Sequence, residues 1–188
     1  PGFWDTRDRT ISPEFLQALE RDLLERTMKH LDITFQKKLW RLAVHRRNFK
    51  LEALERVCGN REEAVALRTI LITRYLINFR SGILSLNPVV REISLGHLRA
   101  ERAEFKQAHS GAADYHLRHF KAKQIVVGQT QLGESFAEVR YHLVQAARER
   151  EIGDIGRRFT DHLKQQINSV SPVPVHGEEL DERIAILS

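Results

Sequence analysis

The sequence predicts a mainly α protein: a single-domain bundle of about six to eight helices with an extended C-terminal tail. Helix starts and stops recur along the chain, and apolar residues repeat at spacings of three and four. The composition, 41% hydrophobic and 29% charged over 188 residues, suits one folded domain and excludes a disordered chain. We therefore expect a soluble helical domain with a core of ordinary size.

The first two helices are predicted from their caps. Ser12 can cap a helix in which Pro13 takes the first position, and the apolar spacing carries this helix to about His30. Asp32 can cap a second helix that turns Leu39 inward. These two helices should form the N-terminal part of the bundle.

The middle of the chain is predicted to hold the most buried helix. A short helix over residues 51–58 should end at Gly59, and the following helix, residues 61–80, is apolar nearly all round. We expect it to lie at the centre of the bundle and to stop at Ser81-Gly82. A further helical region should run from Pro88 to about 109, where Ser110 and Gly111 break it.

Residues 112–128 fit either a helix or a strand. Tyr115 and Leu117 suit both, whereas Ile125 to Val127 favour a strand. Residues 134–150 and 155–167 then read as helices. The C-terminal part of the domain should therefore be helical, whatever the conformation of residues 112–128.

The charge divides the chain into a basic body and an acidic tail. The net charge is +5, and residues 169–188 contribute −3, which leaves +8 on residues 1–168. Two prolines make the start of the tail extended. We interpret residues 1–168 as a basic helical domain and 169–188 as an acidic, apolar tail that docks on a neighbouring protein. The residues expected to bind that partner are Val173, Val175, Ile184, Ile186 and Leu187.

The most informative segment is residues 33–51, which contains no acidic residue. Cations and aromatic residues alternate in it, and phosphates need positive charge whereas bases need flat apolar partners. We expect Leu39 and Leu42 to face inward and the basic side chains outward, with Trp40 or Phe49 packing on a sugar or base if exposed. The predicted nucleic-acid-binding residues here are Lys37, Lys38, Arg41, His45, Arg46, Arg47 and Lys50.

A second acid-free segment, residues 115–133, repeats this mixture. It adds Arg118, Lys121 and Lys123 to the predicted nucleic-acid-binding residues. The plainer interpretation of both segments is a solvated helix face whose Lys and Arg stems cover apolar surface. A solvated face normally mixes both signs of charge, so two acid-free segments favour RNA, which is bound through shape and backbone contacts. A helix-turn-helix over residues 51–67 is less favoured than an ordinary helix pair, because Glu55 stands where a small residue is usual.

No pattern in the sequence indicates catalysis or a metal site. The nearest histidine pair, His116 and His119, has no third ligand at a recognised spacing. Cys58, the single cysteine, lies beside a helix-ending glycine and is interpreted as a small buried residue. We therefore expect no enzyme activity, no cofactor and no metal.

Residues 10–70 resemble the fifteenth small-subunit ribosomal protein family. The resemblance rests on Thr10-Ile11-Ser12-Pro13-Glu14 at a helix start, His30-Leu31 at its end, Leu39-Trp40-Arg41-Leu42, Arg46-Arg47, and the spacing of Leu51 and Leu54. The turn of this family that is rich in His and Asp and contacts ribosomal RNA is missing here. The resemblance implies a ribosomal RNA-binding protein, with the remaining chain as an extension of the organellar type.

The sequence thus predicts a non-catalytic RNA-binding subunit of a ribonucleoprotein, whose partners are structured RNA and neighbouring proteins. The alternative is a helical adaptor or assembly factor that binds an acidic protein. One cysteine indicates a reducing intracellular compartment, either the cytoplasm or an organelle matrix such as the mitochondrial one. The chain begins at Pro1, which we interpret as a processed end or an artificial boundary, and no run of residues is apolar and long enough to span a membrane.

Overall fold

The computed structural model describes the backbone of residues 12–122 and 129–170, and the side chains of 12–118, 134–161 and 164. These residues form eight α-helices and one two-stranded sheet, which confirms the predicted mainly α class. The described chain falls into two compact units that divide between Ala108 and His109. We call them unit 1 and unit 2. The partner-binding residues predicted in the tail lie outside the described residues.

Unit 1 contains five complete helices, the sheet and the start of a sixth helix. The elements are α1 (Pro13–Lys29), α2 (Ile33–Leu42), α3 (Leu51–Cys58), α4 (Arg61–Thr73), β1 (Ile77–Arg80), β2 (Ile83–Leu86), α5 (Pro88–Ala100) and α6 (Arg102–Ala122). Helix α1 packs on α5, α2 packs on both α3 and α5, and α3 packs on α4.

The predicted caps are confirmed. The Ser12 hydroxyl accepts a hydrogen bond from Phe15 N at 3.2 Å, and the Asp32 carboxylate accepts one from Thr34 N at 2.8 Å. Each bond satisfies an amide that has no partner inside its own helix. Gly59 ends α3 with a φ of +87°, a conformation that favours glycine.

The long helix predicted over residues 61–80 is wrong in its second half. Helix α4 ends at Thr73, Tyr75 takes a left-handed φ of +58°, and the chain then enters β1. Strand β1 pairs with β2 in antiparallel register through a two-residue turn, in which Ser81 and Gly82 have φ values of +51° and +80°. Positive φ at both central residues matches the twist of a two-residue hairpin, so Ser-Gly here marks a turn between strands.

The core of unit 1 lies between α2, α3, α4, α5 and the hairpin. Its side chains come from the apolar stripes of the helices and from the inner face of the sheet. The residues buried to 2% exposure or less include Leu39, Leu42, Phe49, Leu54, Leu67, Leu71, Leu76, Ile77, Leu84, Val90 and Leu98.

Unit 2 consists of the second part of α6 with α7 (Gln129–Gln145) and α8 (Arg150–Val170). Residues 112–122 are helical, so the helical interpretation of that part is confirmed, and 125–127 lie outside the described residues. The predicted break at residues 110–111 is wrong, since both lie inside α6. The core contains Ala113, Val139 and Leu143, packed against Leu117, Ile152 and Ile155.

Arg148, in the connection between α7 and α8, links α6 to the first turn of α8. The Arg148 guanidinium donates hydrogen bonds to Ser110 Oγ at 2.7 Å, to Asp114 Oδ1 at 3.1 Å and to both carboxylate oxygens of Glu151 at 2.7 Å. These bonds raise the pKa of Arg148 above its ordinary value and lower the pKa of Glu151. Arg148 follows Ala147, which has a left-handed φ of +59° and separates α7 from α8.

Candidate nucleic-acid interface

The cations predicted on α2 do not all face solvent. Lys37 is exposed, but Lys38 is mostly buried and forms an ion pair with Glu63. The Arg41 guanidinium contacts Glu104 Oε2 through Nη2 at 2.7 Å and through Nε at 2.9 Å. Two of the predicted phosphate-binding cations therefore hold helices of unit 1 together.

The prediction that His45 faces outward is wrong. Helix α2 ends at Leu42, and His45 lies in the following connection with only 5% of its surface exposed. Its ring packs at a tilt on the ring of Phe49, 5.2 Å between centroids. Phe49 is also buried, and Trp40 stacks on His97 with 4.8 Å between centroids. His45 and Phe49 therefore support the fold of unit 1 and do not form an outer contact surface.

The last part of the basic stretch lies on the surface beside the hairpin. Arg46, Arg47 and Lys50 are exposed. Between them Phe49 forms an antiparallel bridge with Leu84, in which Phe49 N donates to Leu84 O at 2.9 Å and Leu84 N donates to Phe49 O at 2.8 Å. Through this bridge, the connection between α2 and α3 forms a third, short row of the sheet beside β2.

The register of the sheet places two cations on its outer face. Phe49, Leu84 and Phe79 lie opposite one another, so their side chains share one face. Because neighbouring residues of a strand point to opposite faces, Lys50 and Arg80 lie on the other one. They stand in the two outer rows, about 10 Å apart at the usual spacing between strands.

Aromatic side chains are exposed along the same hairpin. Tyr75 is 82% exposed just before β1, and Phe79 is 48% exposed on β1, which is an edge strand of the described sheet. The guanidinium of Arg68 lies over the ring of Phe79, 5.4 Å from its centroid. A flat ring beside an arginine is an arrangement on which an unpaired base can stack.

We call this set the hairpin surface; it draws on both faces of the sheet and consists of Arg46, Arg47, Lys50, Arg68, Tyr75, Phe79 and Arg80. Four of its members come from residues 64–91, a segment that contains four arginines and no acidic residue. They are Arg68, Tyr75, Phe79 and Arg80. The acids that flank this segment, Glu63 and Glu92, form ion pairs with Lys38 and Arg21. Sequence reasoning missed the segment because it was read as a buried helix; the absence of acids was the signal that could have revealed it.

The remaining predicted residues belong to unit 2 or lie beyond the described part. Arg118 is exposed on α6. Lys121 lies on α6 without a described side chain, and Lys123 lies outside the described residues. His116, one of the pair considered for a metal, is half-buried and stacks on His142 of α7.

Cys58 has the chemistry of an unreactive thiol. It is partly buried at the end of α3, and this burial raises the pKa of its thiol to about 11. A thiol with this pKa is almost wholly protonated at neutral pH, and the protonated form is a poor nucleophile.

Comparison with known proteins gives no match. No protein-family model matches the chain, and no match was found among curated proteins or solved structures. Among the described residues, no helix has both the length and the apolar character needed to cross a membrane.

Proposed function

We propose that unit 1 binds RNA through the hairpin surface, without catalysis, as a subunit of a ribonucleoprotein. The observation that carries the proposal is the Phe49–Leu84 bridge. It places the exposed end of one acid-free segment beside a second acid-free segment with exposed aromatic rings. Cations for phosphates and rings for bases then occur on one small sheet.

The target is an RNA with unpaired bases, such as the loop of a stem-loop. Arg46, Arg47, Lys50 and Arg80 supply positive charge to the backbone, whereas Tyr75 and Phe79 offer ring faces to bases that are free to unstack. The resemblance of residues 10–70 to a small-subunit ribosomal protein family favours ribosomal RNA. An organellar ribosome is the proposed setting.

The test is a filter-binding titration of a stem-loop RNA over a salt series. The double variant Arg47→Glu/Arg80→Glu should bind more weakly, and log K should depend on log salt less steeply by about 1.5, since two phosphate contacts are lost. The matched control is Arg26→Glu/Lys29→Glu on α1, which causes the same change in net charge away from the hairpin surface. If both variants lose the same affinity for the RNA, the effect comes from the total charge of the protein, and the proposal is contradicted.

The adaptor function remains the second candidate, and one observation favours it. Helix α1 exposes apolar side chains at helical spacing, Phe15 at 60%, Leu16 at 51%, Leu19 at 44% and Leu23 at 55%. An adaptor for an acidic protein should bind polyglutamate in the same titration and retain no stem-loop RNA at low salt. This result would replace the RNA-binding proposal.

A further inference from the structure

Unit 1 contains a cavity that is separate from the hairpin surface. It lies between the start of α2 and the last turns of α4 and has a volume of about 300 Å³. Leu31, Phe35 and Ile70 form its apolar part, and Asp32 and Arg74 supply its two charges. An apolar wall with a few placed polar groups is typical of sites for small molecules, and this volume accommodates one nucleobase.

Asp32 and Arg74 line the same cavity, and in the part of the chain that the structure describes they do not pair with each other. Asp32 Oδ1 accepts a hydrogen bond from Thr34 N at 2.8 Å, which holds the carboxylate in place and lowers the pKa of Asp32 below its ordinary 3.8. Among the described residues, the half-buried Arg74 has no acidic partner, and its guanidinium forms no hydrogen bond. An ionised carboxylate and a guanidinium are therefore both left for a ligand.

The hydroxyl donors of the cavity are already used inside α4. Thr69 Oγ1 donates to Val65 O at 3.0 Å, and Thr73 Oγ1 donates to Thr69 O at 2.9 Å. The selection of a ligand therefore depends on the two charged groups. The Asp32 carboxylate only accepts hydrogen bonds and the Arg74 guanidinium only donates them, so a matching ligand has donors on one edge and acceptors on another.

The cavity adjoins the hairpin surface along the chain. Arg74 is the C-cap of α4, and the next residue is Tyr75, whose exposed ring belongs to that surface. When one base of an RNA loop stacks on Tyr75, a neighbouring base can reach the cavity. RNA bound to unit 1 would thus bring a base to the two unpaired charges.

We propose that the cavity binds a guanine base, which the loop of the RNA supplies, so that this inference rests on the RNA binding proposed for unit 1. Guanine has two neighbouring donors, N1–H and N2–H, and two neighbouring acceptors, O6 and N7. The donors fit the two oxygens of Asp32, and the acceptors fit the fork of Arg74. Adenine, cytosine and uracil do not offer both pairs. Phe35 and Ile70 give the faces of the base apolar contact, as in other sites that bind an unstacked base.

The test compares stem-loop RNAs that differ in a single loop base, placed at each loop position in turn, by filter binding to the full chain. At one position, guanine should bind about 5- to 150-fold more tightly than adenine. Inosine, which lacks the N2 amino group, and 7-deazaguanine, which lacks N7, should each lose part of this preference. The same Kd for guanine and adenine at every position would overturn the guanine site.

Two conservative variants test the two edges of the base. Asparagine caps a helix as well as aspartate does, so Asp32→Asn should keep α2 folded but lose one acceptor oxygen. Arg74→Lys keeps the charge but removes the fork. Each variant should lower the guanine preference at least about threefold, whereas Asp22→Asn and Arg61→Lys, the controls elsewhere in unit 1, should leave it unchanged. An unchanged preference in Asp32→Asn, or an equal loss in Asp22→Asn, would contradict the site.

Guanosine monophosphate separates this inference from the proposed function. It should shift the amide signals of Phe35 and Arg74 in the NMR spectrum of the full chain, and adenosine monophosphate should not. A chain that binds stem-loop RNA but shows neither a base preference nor these shifts would contradict the guanine site alone. A chain that responds to guanosine monophosphate but retains no stem-loop RNA would contradict the proposed function alone, and a chain with neither response would contradict both.

Discussion

The main chains of Phe49 and Leu84 are hydrogen-bonded in both directions, at 2.9 and 2.8 Å. This pairing joins residues that are 35 positions apart and attaches the basic connection after α2 to the hairpin after α4. It also buries Phe49 and turns Lys50 to the outer face of the sheet. The pairing therefore brings two separate acid-free segments side by side in one sheet, with Phe79 on one face and Lys50 and Arg80 on the other.

The exposed rings of the hairpin surface should contribute to affinity without changing its salt dependence. Tyr75→Asn removes a ring while keeping a residue type that tolerates the left-handed φ of +58°. Loss of one stacked base weakens binding by about 1–3 kcal/mol, roughly 5- to 150-fold in Kd. Filter binding at several salt concentrations should show the weaker Kd and an unchanged slope.

The control for this variant is Phe15→Ala, which removes an exposed ring from α1. It should leave Kd within twofold of the wild type. If Phe15→Ala and Tyr75→Asn weaken binding equally, stacking on the hairpin is not the cause.

Two glycines of unit 1 should respond to alanine with opposite signs. Gly59 has a φ of +87° at the end of α3, whereas Gly96 lies within α5, and a Cβ at either position meets no atom within 4 Å. Gly59→Ala should therefore lower the free energy of unfolding by about 1 kcal/mol through backbone strain alone. Gly96→Ala should raise it by up to about 1 kcal/mol through helix propensity. Urea unfolding measures both, and a shared sign would contradict either the left-handed conformation of Gly59 or the helical conformation of Gly96.

The Arg148 cluster should make unit 2 sensitive to acid. Since Arg148 lowers the pKa of Glu151 below its ordinary 4.5, their interaction stabilises the fold above that value and is lost as the pH falls through the lowered pKa. Arg148→Gln should cost about 1 kcal/mol at pH 7, because the partners are partly exposed. The difference from the wild type should shrink below about pH 4.

Arg157→Gln is the control for this experiment. Its ion pair with Asp154 is largely exposed and should contribute almost nothing at either pH. Unfolding curves at pH 7 and at low pH give the comparison. A constant difference between Arg148→Gln and wild type at all pH values would mean that ionisation of Glu151 plays no part.

Cys58 should react slowly with alkylating agents near neutral pH. Because burial raises its pKa to about 11, the rate with iodoacetamide should keep rising through pH 9 and reach half of its maximum only near that value. A short unstructured peptide with one cysteine is the reference, and its rate should be half-maximal near about pH 8.5. The same midpoint for Cys58 as for the peptide would show an exposed, ordinary thiol.

Local signals predicted much of the helical part of unit 1. Ser12 and Asp32 cap the helices at which they were expected, because capping depends on a few neighbouring residues. The hairpin was missed because Tyr75, Leu76, Ile77 and Phe79 continue the apolar residues of α4, and only the left-handed φ of Tyr75 and the Ser-Gly turn separate the two conformations. Apolar content alone does not distinguish a short strand from the end of a helix.

The candidate site was less predictable than the fold. Residue type identified Arg46, Arg47 and Lys50, which are exposed, but it could not show that Lys38 and Arg41 pair with Glu63 and Glu104. Those acids lie 25 and 63 positions away and meet their partners only through tertiary packing. The same holds for the histidines of unit 2, which come together from α6 and α7.

The most direct measurement is photo-crosslinking of the full chain to a stem-loop RNA with 4-thiouridine in its loop, followed by peptide mapping. The hairpin surface predicts crosslinks in peptides that contain Tyr75 or Phe79, with weaker ones in residues 46–50. Tyr75→Asn should reduce the first set, and Phe15→Ala should not. Crosslinks confined to other parts of the chain, or the same yield in Tyr75→Asn as in wild type, would contradict RNA binding by this surface.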